Sequence, residues 1–160
     1  MIRLASLTDL PAVLQVYAHA RTFMAEHGNP TQWGSSYPPT DVLEEDIRLG
    51  RLYVDEHDNA VCGVFMFDIG EDSTYGYIEN GAWLDSSPYG VIHRIASNGT
   101  VPGALGRCLD FCRSKICHLR IDTHADNHPM QHLLDKMGFT RCGIVYMEDG
   151  SPRIAYERME

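Results

Sequence analysis

The residues with the clearest capacity for chemistry lie between Tyr89 and Phe139. A strand-like run, YGVIHRIAS (Tyr89 to Ser97), leads into NGTVPG (Asn98 to Gly103), and a helical pattern opens at Gly103. Backbone N–H groups at a helix start have no intrahelical acceptor and sit at the positive end of the peptide dipoles. A glycine-bearing loop that presents them suits an anion, and its place after a strand points to a phosphate-bearing ligand. His93, on the same strand, carries an imidazole whose ordinary pKa of about 6.5 suits proton transfer near neutrality. The alternative is a core histidine bonded to backbone. Ile95 follows two residues later, and strand alternation places both side chains on one face. Glu79, in the aromatic segment before the strand, is a second proton acceptor or a partner for a cationic amine, against the alternative of a solvated loop carboxylate.

The cysteines read differently. Cys108, Cys112 and Cys117 with His118 have a C-x3-C-x4-C-H spacing, and the first two share a helix face. No second half stands at zinc-site spacing, so no metal is assigned. Nothing marks one thiol as an activated nucleophile. Neither a Walker A loop nor a G-x-G-x-x-G fingerprint occurs.

The elements that must position these residues follow from periodicity and punctuation. IRLAS (Ile2 to Ser6) reads as a short strand. Thr8 is the expected N-cap of a helix with Pro11 in its first turn, and Leu10, Val13, Leu14, Tyr17, Ala20 and Met24 recur at helical spacing before Gly28. GNPTQWGSSYPP (Gly28 to Pro39) reads as loop, and Thr40 as the cap of a second helix ending at Gly50. RLYVDE (Arg51 to Glu56) and AVCGVFMFDIG (Ala60 to Gly70) form a hairpin around HDNA. In Glu71 to Pro88, Tyr75, Tyr77 and Trp83 alternate with polar residues, which predicts some strand there.

After the glycine loop, a helix from Gly103 to Ile116 places Leu105, Leu109, Cys112 and Ile116 on one face. HLRIDTH (His118 to His124) is a strand. Asn127 caps a last helix that has Pro129 in its first turn and Gly138 just past its end. TRCGIVYM (Thr140 to Met147) and SPRIAYERM (Ser151 to Met159) close as a hairpin. The order is βααβββαβαββ, an α/β fold with a central mixed sheet flanked by about four helices and no dinucleotide-binding unit.

Bulk properties narrow the function. A chain of 160 residues, 44% hydrophobic and 22% charged, suits one globular domain spanning 1–160. A formal net charge of -9 argues against a nucleic-acid partner. No apolar run approaches the roughly 20 residues of a membrane span. An odd count of five cysteines without a signal-peptide core points to reduced thiols in a cytoplasm.

At TVPGAL (Thr100 to Leu105) and LLDKMGF (Leu133 to Phe139), and in the order of its elements, the chain resembles the GCN5-related N-acetyltransferase (GNAT) family. That family's loop reads Q/R-x-x-G-x-G/A, and its later helix starts at an Asn and ends near L-Y-x-K-x-G-F. The resemblance implies a GNAT-like acyl-CoA fold with acetyl-CoA as cosubstrate. It implies that backbone groups around Ile95 and Ser97 align the pantetheine arm, and that N–H groups from Val101, Gly103, Ala104 and Leu105 surround the pyrophosphate. Asn127 would contact the pantetheine or sit near the thiol. Thr100 departs from the Gln or Arg, Leu105 from a small residue, and Pro102 removes a donor. Leu134 stands where the family often has the tyrosine that protonates the leaving thiolate, which makes Tyr146, on the following strand, the replacement candidate.

The reading is an N-acetyltransferase acting on a primary amine, a small molecule by the shortness and acidity of the chain, through direct attack on the thioester. His93 or Glu79 would take the proton, and Trp33, Tyr37, Tyr77 and Trp83 would wall an acceptor pocket if they are not core residues. The alternatives are an acyl-CoA-binding sensor or accessory subunit without turnover, and a redox or metal protein built on the cysteines. Exposed strand edges in the last hairpin suit pairing into a homodimer.

Overall fold

Two segments of this chain form strands buried on both faces: Cys62 to Phe67 and Arg153 to Glu157 are each buried at consecutive positions. The computed structural model describes all 160 residues. Its strands are β1 (Ile2–Leu4), β2 (Leu52–His57), β3 (Ala60–Ile69), β4 (Gly90–Ser97), β5 (Leu119–Thr123), β6 (Thr140–Tyr146) and β7 (Pro152–Arg158). The helices are α1 (Leu10–Glu26), α2 (Thr40–Arg48), α3 (Ala104–Arg113) and α4 (His128–Lys136), with short 3-10 turns at Leu7–Asp9 and Ser73–Tyr75. The seven strands are ordered β1-β2-β3-β4-β5-β7-β6, a mixed sheet in which β4 and β5 run parallel. No helix is long and apolar enough to cross a membrane.

The chain divides into two units. The first comprises Met1–Phe67 and His93–Phe111. In it β1 pairs antiparallel with β2 from Ile2–Asp55 to Leu4–Tyr53, and β2 with β3 from Leu52–Met66 to His57–Ala60. The α1 stripe buries Val13, Val16, Tyr17 and Ala20, at i, i+3, i+4 and i+7, against Leu43, Leu52, Val54 and Val64. A second apolar layer is aromatic: Tyr53 stacks on Phe65 at 5.5 Å and meets Phe111 of α3 at 4.9 Å.

The second unit comprises Asp68–Ile92 and Cys112–Glu160. Here β4 pairs with β5 from Gly90–Leu119 to Ile92–Ile121, β5 pairs antiparallel with β7, and β6–β7 form the closing hairpin. Tyr75, Tyr89, Val91, Val145 and Ala155 make its apolar centre. Beside this centre lies a buried ionic group. Glu157, with no exposed surface, accepts from His118 Nε2, from Arg120 Nε at 2.8 Å and from the backbone N–H of Leu84.

Three local expectations are corrected. Thr8 does not cap α1: Ser6 opens a 3-10 turn, donating its N–H to the Asp9 carboxylate at 2.8 Å, and α1 begins only at Leu10. Thr40 is the first residue of α2, preceded by Pro39 at the cap position. The aromatic segment forms no strand. It makes a 3-10 turn and bends, with one bridge of Glu79 to Ile144, because side chains of the sheet hold its backbone in place of a ladder.

Candidate active site

In the first unit, β4 delivers His93, Ile95 and Ser97 and runs straight into the glycine loop. All three are half-buried, while Ala96 between the last two is buried. Arg94 has φ 54°, a left-handed conformation inside the strand. The alternation expected to place His93 and Ile95 on one face is therefore interrupted between them.

The loop is built by its own short bonds. Asn98 donates its N–H to the Cys62 carbonyl at 2.9 Å, and its side-chain oxygen accepts from Thr100 N at 3.1 Å and Thr100 Oγ1 at 2.7 Å. Gly103 has φ 85°, where a side chain is strained, and it turns the chain into α3. The first N–H groups of α3 follow, at Ala104 and Leu105. The Leu105 side chain is buried, which explains a large residue where the resembling loop has a small one: only its backbone belongs to the loop.

Arg107, which sequence reasoning missed, staples this loop. Its guanidinium donates to the carbonyls of Pro102 and Val101 and, at 2.7 Å, to Asp55 of β2. Burial works against the Asp55 carboxylate, but the Arg107 guanidinium overrides it and holds the pKa below the ordinary value. The partner lies 52 residues upstream, so no local pattern signals it. His57 and Cys62 lie close enough to Asp55 to share an ion, but its carboxylate is already bonded to Arg107 and His57. Trp33 is partly buried and meets the Tyr17 ring edge-on at 5.5 Å.

In the second unit three predicted residues meet. Glu79 accepts at Oε1 from Tyr146 OH at 3.0 Å and at Oε2 from Tyr77 OH at 3.3 Å. The two rings stack with centroids 6.4 Å apart. Two reciprocal backbone bonds of 2.8 Å tie Glu79 to Ile144 on β6. This contact needs missing side chains. A Cβ at Gly81 would stand 1.8 Å from the Cys142 carbonyl oxygen, and one at Gly143 would stand 2.7 Å from the Glu79 carbonyl oxygen.

Trp83 lies elsewhere. Its Nε1 donates to the Tyr75 carbonyl at 2.9 Å, and the Arg120 guanidinium sits over its ring at 4.1 Å. It lines a cavity of about 580 Å³ with Asp72, Tyr75, Asp85, Tyr89 and Arg120, a lining that does not include Tyr77 or Glu79.

Asn127 caps α4, accepting from Met130 N at 3.2 Å, and is buried. His124 Nδ1 accepts from Asp126 N at 3.0 Å, so its ring proton sits on Nε2. Burial, then the charge of Arg153, lowers its pKa. Leu134 is fully buried. The cysteines are all free, with Cys117 exposed and the others buried, and both nitrogens of His118 are bonded within the protein.

No family sequence profile matches the chain, and no curated protein matches it. Its fold is similar to solved acetyltransferases. A GNAT-family acetyltransferase from Streptococcus agalactiae 2603 is 29% identical with a TM-score of 0.86, over 100% of this chain and 95% of that one. A Staphylococcus aureus Mu50 protein assigned as an acetyltransferase is 25% identical with a TM-score of 0.71, over 99% and 98% of the two chains. The yncA protein of Salmonella typhimurium, solved with its cofactor acetyl-CoA, shares the fold at 17% identity and a TM-score of 0.60, over 100% and 94%.

Proposed function

We propose that this chain, whose fold is that of the GNAT acetyltransferases it is similar to, transfers an acetyl group from acetyl-CoA to a primary amine of a small molecule by direct attack. The observation that carries this reading is the run of β4 into a glycine loop and the N-terminus of α3. It presents backbone donors to an anion without needing the missing Gln or Arg at Thr100.

In this reading the N–H groups of Val101, Gly103, Ala104 and Leu105 hold the pyrophosphate, and the backbone at Ile95 and Ser97 aligns the pantetheine. Acetyl-CoA supplies an activated thioester. The Ile95 N–H donates to its carbonyl oxygen, as an oxyanion donor does. His93 is the proton acceptor offered by the first unit. The second unit offers Glu79, whose carboxylate is held by two phenols, with Tyr146 as the acid for the leaving thiolate. Asn127 takes the cosubstrate contact that the resemblance implies, Trp33 and Tyr77 are offered to the acceptor as aromatic walls, and Trp83 belongs instead to the cavity it lines with Tyr75, Tyr89 and Arg120. Leu134, wholly buried and without a proton to give, is compatible with turnover because a thiolate leaves readily near neutral pH. The reading places the enzyme in a cytoplasm, with a homodimer through the last hairpin.

The test is calorimetric titration of acetyl-CoA, CoA and NAD, followed by a thiol-release assay over an amine and peptide panel. Acetyl-CoA binding without NAD binding, with CoA released by a small amine, supports the proposal. Binding without release across the panel favours the non-catalytic acyl-CoA sensor instead.

A further inference from the structure

Four non-glycine residues have positive φ: Asp58 at 51°, Asn59 at 62°, Asn80 at 57° and Arg94 at 54°. The first three are of the short side-chain types that tolerate this region and lie in turns or bends. Arg94 is neither short nor in a turn: it lies inside β4.

Its conformation is held from several sides. Tyr17 of α1, fully buried, donates its hydroxyl to the Arg94 carbonyl at 2.7 Å. Burial pushes the Tyr17 phenol well above its ordinary pKa, so it remains a donor at any working pH. The Arg94 guanidinium donates to Oδ2 of Asp46 on α2, a carboxylate with no exposed surface. The other oxygen of Asp46 accepts from Arg51 Nε at 2.8 Å, which fixes the carboxylate in place.

The arrangement is costly. Arg94 adopts a disfavoured backbone, gives up solvent and buries its Nε–H without a partner. Backbone strain persists only where the surroundings over-determine it, and such positions cluster where conformation is used. The residues on either side of Arg94 are His93 and Ile95.

We propose that Tyr17, Arg94 and Asp46 form a positioning clamp: together they impose the left-handed reversal in β4 that aims the Ile95 N–H and the His93 ring. This rests on the acetyl-transfer reading. None of the three need touch substrate. Their effect is exerted through the backbone conformation of one residue.

Two substitutions at one position separate conformation from charge. Arg94→Gly and Arg94→Val both remove the guanidinium from Asp46, so both lose the same ion pair. Glycine adopts the left-handed region freely, whereas a β-branched valine resists it. The expected result is a kcat for Arg94→Val about tenfold or more below that of Arg94→Gly, with the difference in kcat rather than in the KM for acetyl-CoA. Equal kcat values in the two variants, with an active parent, would leave Arg94 a stabilising ion pair only and overturn the clamp. A parent that binds acetyl-CoA but acetylates nothing would overturn the acetyl-transfer reading, and the clamp's purpose with it. If neither variant folds, Tyr17→Phe keeps the ring and removes only the hydroxyl. Its kcat is expected to fall about threefold or more at unchanged acetyl-CoA affinity, and an unchanged kcat counts against the proposal.

Discussion

The Tyr146 hydroxyl donates to Oε1 of Glu79 at 3.0 Å, while Tyr77 donates to the other oxygen of the same carboxylate at 3.3 Å. The bond to Glu79, and secondarily desolvation, raises the Tyr146 phenol above its ordinary pKa. Glu79→Gln removes the negative charge, so Tyr146 should then titrate at lower pH, closer to 10.0. Near-ultraviolet titration, with Tyr146→Phe identifying the transition, checks this. A Tyr146 transition that stays in place would show that the carboxylate does not control the phenol. With Glu79 as the proton acceptor, kcat/KM of Glu79→Gln falls about 100-fold or more.

Gly103→Asp tests the anion loop. At φ 85° any side chain is strained, and aspartate also sets a negative charge beside the bound phosphates. Calorimetry should show acetyl-CoA binding weakened by about tenfold or more, the equivalent of roughly 1.4 kcal/mol. A normal Kd would mean that the phosphates bind somewhere else.

Glu157→Gln tests the buried ionic group. The substitution leaves Arg120 and His118, both nearly inaccessible, without their anion. Breaking one partner out of such a group costs about 3–5 kcal/mol, read from urea denaturation at neutral pH. A loss well under about 1 kcal/mol would put the network among pairs of no net worth.

How much of this was legible beforehand depended on distance along the chain. The α4 cap at Asn127, the loop before α3 and the closing hairpin are written in neighbouring residues, and each stands where its local signals put it. Glu79 and Tyr146 were each singled out, but not as partners, because 67 residues separate them. Arg107 and Asp55 were missed for the same reason. The bend at Arg94 is invisible in principle, since an arginine in an apolar strand reads as ordinary alternation. Only Tyr17 and Asp46, brought in by two helices, make it the stable state. The segment before β4 misled because its Tyr and Trp spacing mimics a strand, whereas its backbone is held by Glu157 and Arg120.

A pH test addresses the start of the chain. Arg3 holds Asp9 through two bonds, of 2.8 and 2.9 Å, and these outweigh burial to bring the Asp9 pKa down to about 2. A carboxyl more acidic in the folded than in the unfolded state stabilises the fold above the unfolded value of 3.8, and that contribution is lost as pH falls through about 2. Arg3→Met should therefore cost roughly 1 kcal/mol at pH 7, after allowance for solvent screening of a partly exposed pair, and less at about pH 3. Denaturant titrations at the two pH values compare them, and a penalty that grows on acidification would contradict the assignment.

Positions 81 and 143 admit no side chain without driving the Glu79 backbone away from β6. Sequence drift at either must shift the Glu79 segment or the β6 backbone that it meets. When genomes are surveyed for related chains, a glycine at both positions should therefore mark those that place an acid as this one does. A bulky residue at either should mark chains that hold this segment differently against β6.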